Sequence, residues 1–381
     1  DEYENYLNEM DPSYGAAMLG FMYTDNAVDI LNELDTEQRE NYLEMMDDET
    51  VDEINELLGY EEYTAGAIMT TEYVSVLESA TVREAMRVLR QEAQTAETIY
   101  YIFVVDSTHR LLGVMSLREL IVAEGDLYIR DIMSDRVLSV KVTDDQENVA
   151  NLIKDYDFLA IPVINENREL QGIITVDDII DVIEEEAEDD YSKLAGISDM
   201  DDNDAGPIRA AGKRLPWLII LLFLGMLTSG LMGIFEATLD KVALLATFIP
   251  LISGTSGNSG TQALAVAVRG IATGDIGGKS KFKLVLRELS TGIIMGLVSG
   301  AIVVGIIYFW KGTFIVGLLV GASICCSIIV ATLAGSFIPI IMHKLGVDPA
   351  VASGPFITTL NDVTSIVIYL GLATTFIGLI L

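Results

Sequence analysis

This 381-residue chain is poor in cysteine and histidine and, before residue 207, poor in basic side chains. Its two cysteines, Cys325 and Cys326, are adjacent inside an apolar run. That excludes a disulfide scaffold and reads them as small hydrophobes. Its two histidines, His109 and His343, form no H-E-x-x-H pair within an apolar segment, which argues against an intramembrane metalloprotease. Residues 1–206 hold 51 acids against 12 bases, so they offer no basic footprint for nucleic acid. Residues 1–20 are acidic and lack an apolar core, so no signal peptide is expected there.

What is present divides in two. Net charge is −34, yet 51% of residues are hydrophobic and mean hydropathy is +0.41. The conflict disappears on splitting the chain near Gly206: the first part carries −39, the second +5. A single globular domain is thereby excluded.

In the second part, 215–235, 289–310, 313–342 and 356–381 are long and apolar enough to span a bilayer. A fifth stretch, 242–268, is interrupted by the polar, glycine-rich patch Ser253–Gln262. The patch reads either as a loop between short segments or as irregular backbone lining a water-filled path. The second reading is preferred, because the apolar residues on both sides are needed to complete a span. With five spans, nine of eleven bases fall on one side, which puts the N-terminus in the cytoplasm and the C-terminus outside. Gly292, Gly296 and Gly300, and Gly317 and Gly321, recur every four residues and predict close helix packing. Asp362 lies six residues into the last span, amid Thr358, Asn361 and Thr364. A charge at that depth costs at least about 2.5–3.5 kcal/mol on insertion scales and points to an ion path. No base lies inside a span to pair with it.

In the first part, residues 1–60 read as short acidic helices, with Asp25, Asp35 and Asp47 as expected N-caps. In 48–60, Val51, Ile54, Leu57 and Leu58 recur at helical spacing and are expected in a core. Residues 69–188 contain a repeat. Each unit has a short leading strand, a helix (81–91, 145–155), a strand (101–106, 160–164), a strand ending in Ser116 or Thr175, and a second helix. The offset between units is 64 early and 59 late, so the first carries a five-residue insertion.

This repeat resembles a tandem pair of cystathionine-β-synthase-type (CBS) domains. Such pairs commonly sense adenine nucleotides, and the family's Ser/Thr-x-x-Asp pattern stands here as Thr175…Asp178 and Ser116…Glu119. The same spacing is also a helix capping box, which needs no ligand. The wider order adds Glu184–Lys193, Gly257–Gln262, Gly346-Val347-Asp348-Pro349 and Leu360-Asn361-Asp362-Val363-Thr364. Along nearly its full length the chain resembles the MgtE family of magnesium channels.

The resemblance implies a multi-domain fold: an acidic α-helical N-terminal segment (1–66, shorter than the family's usual domain), an α/β CBS pair (67–128 and 129–186), a connecting plug helix (187–214) and an all-α membrane domain of five helices (215–381). It implies a homodimer in the lipid bilayer of the cell membrane, not an enzyme, that imports Mg²⁺ and is modulated by ATP. Asp362, Asn361, Thr358 and Asn258 would face the ion path. Asp25, Asp29, Asp145, Glu147, Asp157, Asp178, Asp181, Glu186, Asp189, Asp190 and Asp348 would hold regulatory Mg²⁺ that closes the plug. Tyr101, Arg118, Glu119, Phe158 and Asp178 would hold the nucleotide. The competing reading is a nucleotide-regulated secondary transporter of another cation or solute, whose flux would survive loss of Asp362 better.

Overall fold

The computed structural model describes residues 6–7, 9–197, 207–272, 278–352 and 354–380. Two compact units, Asp1–Glu186 and Ala187–Leu381, are taken in turn.

The first unit opens with four short helices, α1 (Pro12–Leu19), α2 (Thr24–Glu33), α3 (Thr36–Leu43) and α4 (Asp48–Leu58). Asp35 and Asp47 cap α3 and α4 as expected, each accepting a backbone N–H of the first turn. Asp25 does not act as a cap. Tyr23 occupies the N-cap position of α2 and offers no side-chain bond, while Asp25 lies inside the helix and is buried. Ile54 and Leu57 are fully buried, as their spacing predicts, and join Leu19 and Leu31 in a core that continues through Val149, Ile153, Val163 and Ile174 of the repeat. Burial of each large aliphatic side chain contributes about 1.5–3 kcal/mol.

The repeat forms two three-stranded sheets, β1 (Tyr73–Leu77), β2 (Thr98–Val105) and β3 (Leu111–Ser116), then β4 (Val140–Lys141), β5 (Ala160–Ile164) and β6 (Leu170–Thr175). In each, the first pair of strands is parallel and the second antiparallel. The parallel crossovers are α5 (Val82–Glu92) and α7 (Gln146–Tyr156). The third strands lead directly into α6 (Leu117–Val122) and α8 (Val176–Ala195). The pairing Val76↔Val104 in one sheet matches Val140↔Val163 in the other, as the repeat offsets require.

The connecting segment differs from the expected single helix over 187–214. α8 begins at Val176 and stops at Ala195, where Gly196 takes φ +72 and the Ile197 N–H reaches back to the Ser192 carbonyl at 3.0 Å. This is a glycine-terminated helix end. Residues 198–206, the rest of the acidic run, lie outside the described residues.

The second unit is helical: α9 (Pro207–Ile234), α10 (Glu236–Lys241), α11 (Ile249–Ala272), α12 (Gly278–Lys311), α13 (Phe314–Lys344), α14 (Gly354–Thr375) and a terminal turn, α15 (Ile377–Ile380). Four of them, over 210–234, 281–311, 314–344 and 354–375, are long and apolar enough to cross a membrane. α11 has 24 residues, about 36 Å at helical rise, but includes the Ser253–Gln262 patch. That patch is neither a loop nor irregular backbone; it is regular helix. Its hydroxyls bond back to carbonyls of their own helix, Thr255 to Leu251 at 2.6 Å and Thr261 to Asn258 at 2.9 Å. Gly257 and Gly260 serve close approach instead of chain reversal.

Those approaches hold the unit together. A side chain at Gly335 of α13 would strike the Gly260 carbonyl of α11, and one at Gly260 would strike the Asn361 amide of α14. The α12 stripe behaves as predicted: Gly292 meets Thr332, Gly296 meets Cys325 and Gly300 meets Gly321, all on α13. Hydroxyl pairs Ser256–Ser365 (2.6 Å) and Ser259–Thr332 (2.9 Å) join the same helices. We expect Gly335→Ala to cost about 1–3 kcal/mol through overpacking, seen as a lower thermal midpoint in detergent. Gly225→Ala, where an added methyl meets nothing within 4 Å, should leave the midpoint unchanged.

Candidate metal centre and permeation residues

Three carboxylates from separate elements converge in the first unit. Asp25 comes from the first turn of α2, Glu97 from the residue before β2, and Asp178 from the first turn of α8. Their ligand oxygens lie within 4.8 Å of one another. Asp25 is pushed up to about 7 by burial, with Glu97 and Asp178 adding repulsion. Glu97 is likewise pushed up to about 7, by burial and then by Asp178. Burial also raises Asp178, against hydrogen bonds from Thr175, whose N–H and hydroxyl both reach its carboxylate.

Oxygen Oε2 of Glu97 is buried without a hydrogen-bond partner. An orphaned carboxylate oxygen facing two more acids fits a hard divalent cation, since Mg²⁺ takes carboxylate oxygens and keeps several waters. The donor set contains no nitrogen or sulfur that would favour zinc. Asp29 and Asp181 lie one turn beyond Asp25 and Asp178 on their helices, and burial followed by repulsion from Asp178 pushes Asp29 up to about 6.

Other expected ligands are distributed differently. Asp145 caps α7, accepting the Asn148 N–H at 3.2 Å, and Asp157 ends α7 in the left-handed region at φ 55. Glu147 stands in the first turn of the same helix. Glu186 accepts the Gln146 amide at 2.7 Å. In the second unit, Asp189 and Asp348 meet on one ammonium: Lys193 Nζ contacts Asp189 and lies 2.5 Å from Asp348. Burial opposes the Lys193 charge, but hydrogen bonds to the two acids outweigh it and hold the ammonium above its ordinary range. Asp190 is half-buried beside them in sequence.

A separate, solvent-open cleft lies between the two sheets, lined by Tyr101, Phe103 and Val114 of one unit and Arg136, Leu138, Phe158 and Pro162 of the other. It brings together Tyr101 and Phe158, two of the positions the family resemblance names for a nucleotide. Arg118, Glu119 and Asp178 are not on its wall. The Glu119 carboxylate closes a capping box with Ser116, at 2.7 Å to the N–H and 2.9 Å to the hydroxyl. Asp178 belongs to the acid cluster.

In α14, Ser253 of α11 hydrogen-bonds the half-buried Asp362. Thr358 packs on Gly257 and bonds back to the Gly354 carbonyl at 2.9 Å. Asn361 is fully buried against Gly260 with neither amide atom paired. Asn258 faces away from this seam and is exposed.

Sequence reasoning missed Glu97 and Arg136. Glu97 falls in the insertion that the second unit lacks, so no repeat equivalence pointed to it. Arg136 was findable, because it leads the second unit into the cleft that Tyr101 enters.

These features define a multi-pass membrane protein with an acidic N-terminal part. The family model of the divalent cation transporter MgtE matches residues 249–372, that of the MgtE intracellular N domain matches 1–63, and CBS domains match 65–126 and 129–185. Magnesium transporter MgtE of Enterococcus faecalis is 53% identical over 98% of this chain and 82% of its own. That of Bacillus subtilis is 42% identical over 97% and 82%. A crystal structure of the cytosolic domain of the Mg²⁺ channel MgtE in complex with ATP is 43% identical, covers 48% of this chain and 74% of that one, and aligns with a TM-score of 0.46. The chain belongs to the MgtE family of magnesium transporters; it is a transporter of Mg²⁺, not an enzyme.

The raised carboxylates give a pH signature. Asp25 and Glu97 hold protons when folded that they release when unfolded. Their contribution to stability is complete near pH 4 and is lost as pH rises through about 7. In chelator, amide exchange in 24–33, corrected for intrinsic rate, should be slower at pH 5.5 than at pH 8. Mg²⁺ should restore protection at pH 8, and Asp25→Asn should flatten the dependence.

Proposed function

We propose that this protein is a Mg²⁺-selective channel of the cell membrane that cytosolic Mg²⁺ closes, with its N-terminus in the cytoplasm and its C-terminus outside. The observation that carries the gating part is the Asp25–Glu97–Asp178 cluster. It joins the N-terminal helices to the CBS pair only when its repulsion is neutralised, and a divalent cation does that at neutral pH. Glu147, Glu186, Asp190, Asp29 and Asp181 supply weaker, more exposed positions. Asp189 and Asp348 enter as a joint already bridged by Lys193, so added Mg²⁺ competes there with an ammonium.

Many weak sites suit a millimolar sensor. Moving a two-state equilibrium from 1:99 to 99:1 takes about 5.5 kcal/mol. A site at threefold its dissociation constant gives about 0.8 kcal/mol. About seven such sites suffice when the open state binds none, and the acids of two chains provide them.

For permeation, α11 is the fifth span, and Asp362 of two chains in a homodimer holds the ion through its waters, as the reluctance of Mg²⁺ to dehydrate favours. Thr358 and Asn361 shape the helix that presents it. The open cleft takes an adenine nucleotide, its base between Tyr101 and Phe158 and its phosphates toward Arg136.

Asp362→Ala should reduce Mg²⁺ uptake into proteoliposomes to the empty-vesicle background. Uptake at the wild-type rate would sink the pore assignment and favour a secondary transporter. Millimolar Mg²⁺ should also protect residues 184–206 from protease, and digestion indifferent to Mg²⁺ counts against the plug. Arg136→Gln should weaken ATP binding at least about tenfold by calorimetry, a loss of one charge-assisted phosphate contact.

A further inference from the structure

The repeat allows one position to be compared in two settings. Thr70 and Ile173 exchange backbone hydrogen bonds (2.8 and 3.0 Å), and Ser134 and Val114 do the same (2.9 and 3.0 Å). With the strand register, this fixes the equivalence: positions before the insertion differ by 64 and those after it by 59. The mate of Arg136, on the wall of the open cleft, is Glu72.

Glu72 faces a different partner. Its Oε1 accepts the Thr24 N–H at 3.0 Å and the Thr24 hydroxyl at 2.6 Å, and its Oε2 accepts the Thr70 hydroxyl at 2.6 Å. Thr24 is the first residue of α2, whose own N-cap, Tyr23, contributes no side-chain bond. Glu72 therefore supplies from the CBS pair the cap that α2 lacks, with a negative charge at the positive end of the helix. The next residue is Asp25. Fixing Thr24 fixes Asp25 against Glu97 and Asp178, where mutual repulsion would otherwise drive the first turn of α2 away.

We propose that Glu72 is a positioning residue for the metal centre. By capping α2 across the domain boundary it delivers Asp25 to the ligand set, and the paired positions 72 and 136 assign the two halves of the CBS pair to opposite partners, a helix N-terminus and an anion. This rests on the metal centre described under the proposed function, and the test separates the two. The capping role needs an acceptor at Oε1, not a charge, so Glu72→Gln preserves it and Glu72→Ala removes it.

The experiment titrates Mn²⁺, as a paramagnetic probe, into the full-length protein in detergent, following free Mn²⁺ by electron paramagnetic resonance. The relevant site is the one lost in Asp25→Asn. ATP binding by calorimetry checks that each variant retains a folded CBS pair. Glu72→Ala should raise the dissociation constant of that site about tenfold or more, and Glu72→Gln should stay within about threefold of wild type. Wild-type affinity in Glu72→Ala, or Glu72→Gln as weak as Glu72→Ala, overturns the proposal while leaving the metal centre standing. Retention of every site in Asp25→Asn overturns the metal centre itself. Should Glu72→Ala fail to bind ATP, Thr24→Val decides: the loss of its hydroxyl bond should weaken Mn²⁺ about threefold, and unchanged affinity overturns the proposal.

Discussion

Like charges held close together in a partly dry site set the terms for the regulatory part of this protein. Asp25, Glu97 and Asp178 are brought together by a helix start, a strand start and another helix start, none of which bends easily. Packing of the N-terminal helices against the second sheet pushes the three together, and their charges push apart. Protons relieve the conflict at low pH, and in the proposed gating a divalent cation relieves it at neutral pH. An interface of that kind would make a sensor from ordinary packing and an excess of acid.

The same unit shows how duplication is made asymmetric. Two sheets of matching register, two acids (Glu119 and Asp178) that accept from a Ser or Thr three residues back, and two exchanged backbone pairs are inherited alike. Side chains at equivalent places then diverge in sign: Arg136 against Glu72, and Arg118 against Asp177. One cleft is left open with aromatic walls and a guanidinium. In the other half the equivalent position carries an acid that reaches across to another domain.

Much of this was legible in the sequence. Periodicity found the buried Ile54 and Leu57, the offset of 64 and 59 found both sheets, and the glycine spacing in α12 found its contact with α13. What failed did so for physical reasons. Asp25 looked like an N-cap because Asp favours that place, but the cap came from a residue 48 positions away, which no local pattern encodes. Glu97 sat in an insertion with no counterpart. The Ser253–Gln262 patch read as irregular backbone because glycine and hydroxyl residues break soluble helices, whereas inside a helical bundle they permit contact. The Lys193 ammonium that joins Asp189 and Asp348, only four residues from Asp189, was equally illegible, because Asp348 is 155 residues from it in the chain.

The seam among α11, α13 and α14 is closed by backbone touching backbone at Gly260 and Gly335, with Asn361 wedged alongside. A gap of that width has no room for an ion that keeps its water shell. The three helices therefore form a solid block, and on the proposed permeation role of Asp362 the route runs along its outer face, where Asp362 retains partial exposure. A wall of this kind cannot dilate by moving side chains. On the proposed route, widening or narrowing would require whole blocks to shift against one another, so its conductance would be governed by rigid-body placement more than by the size of any single residue lining it.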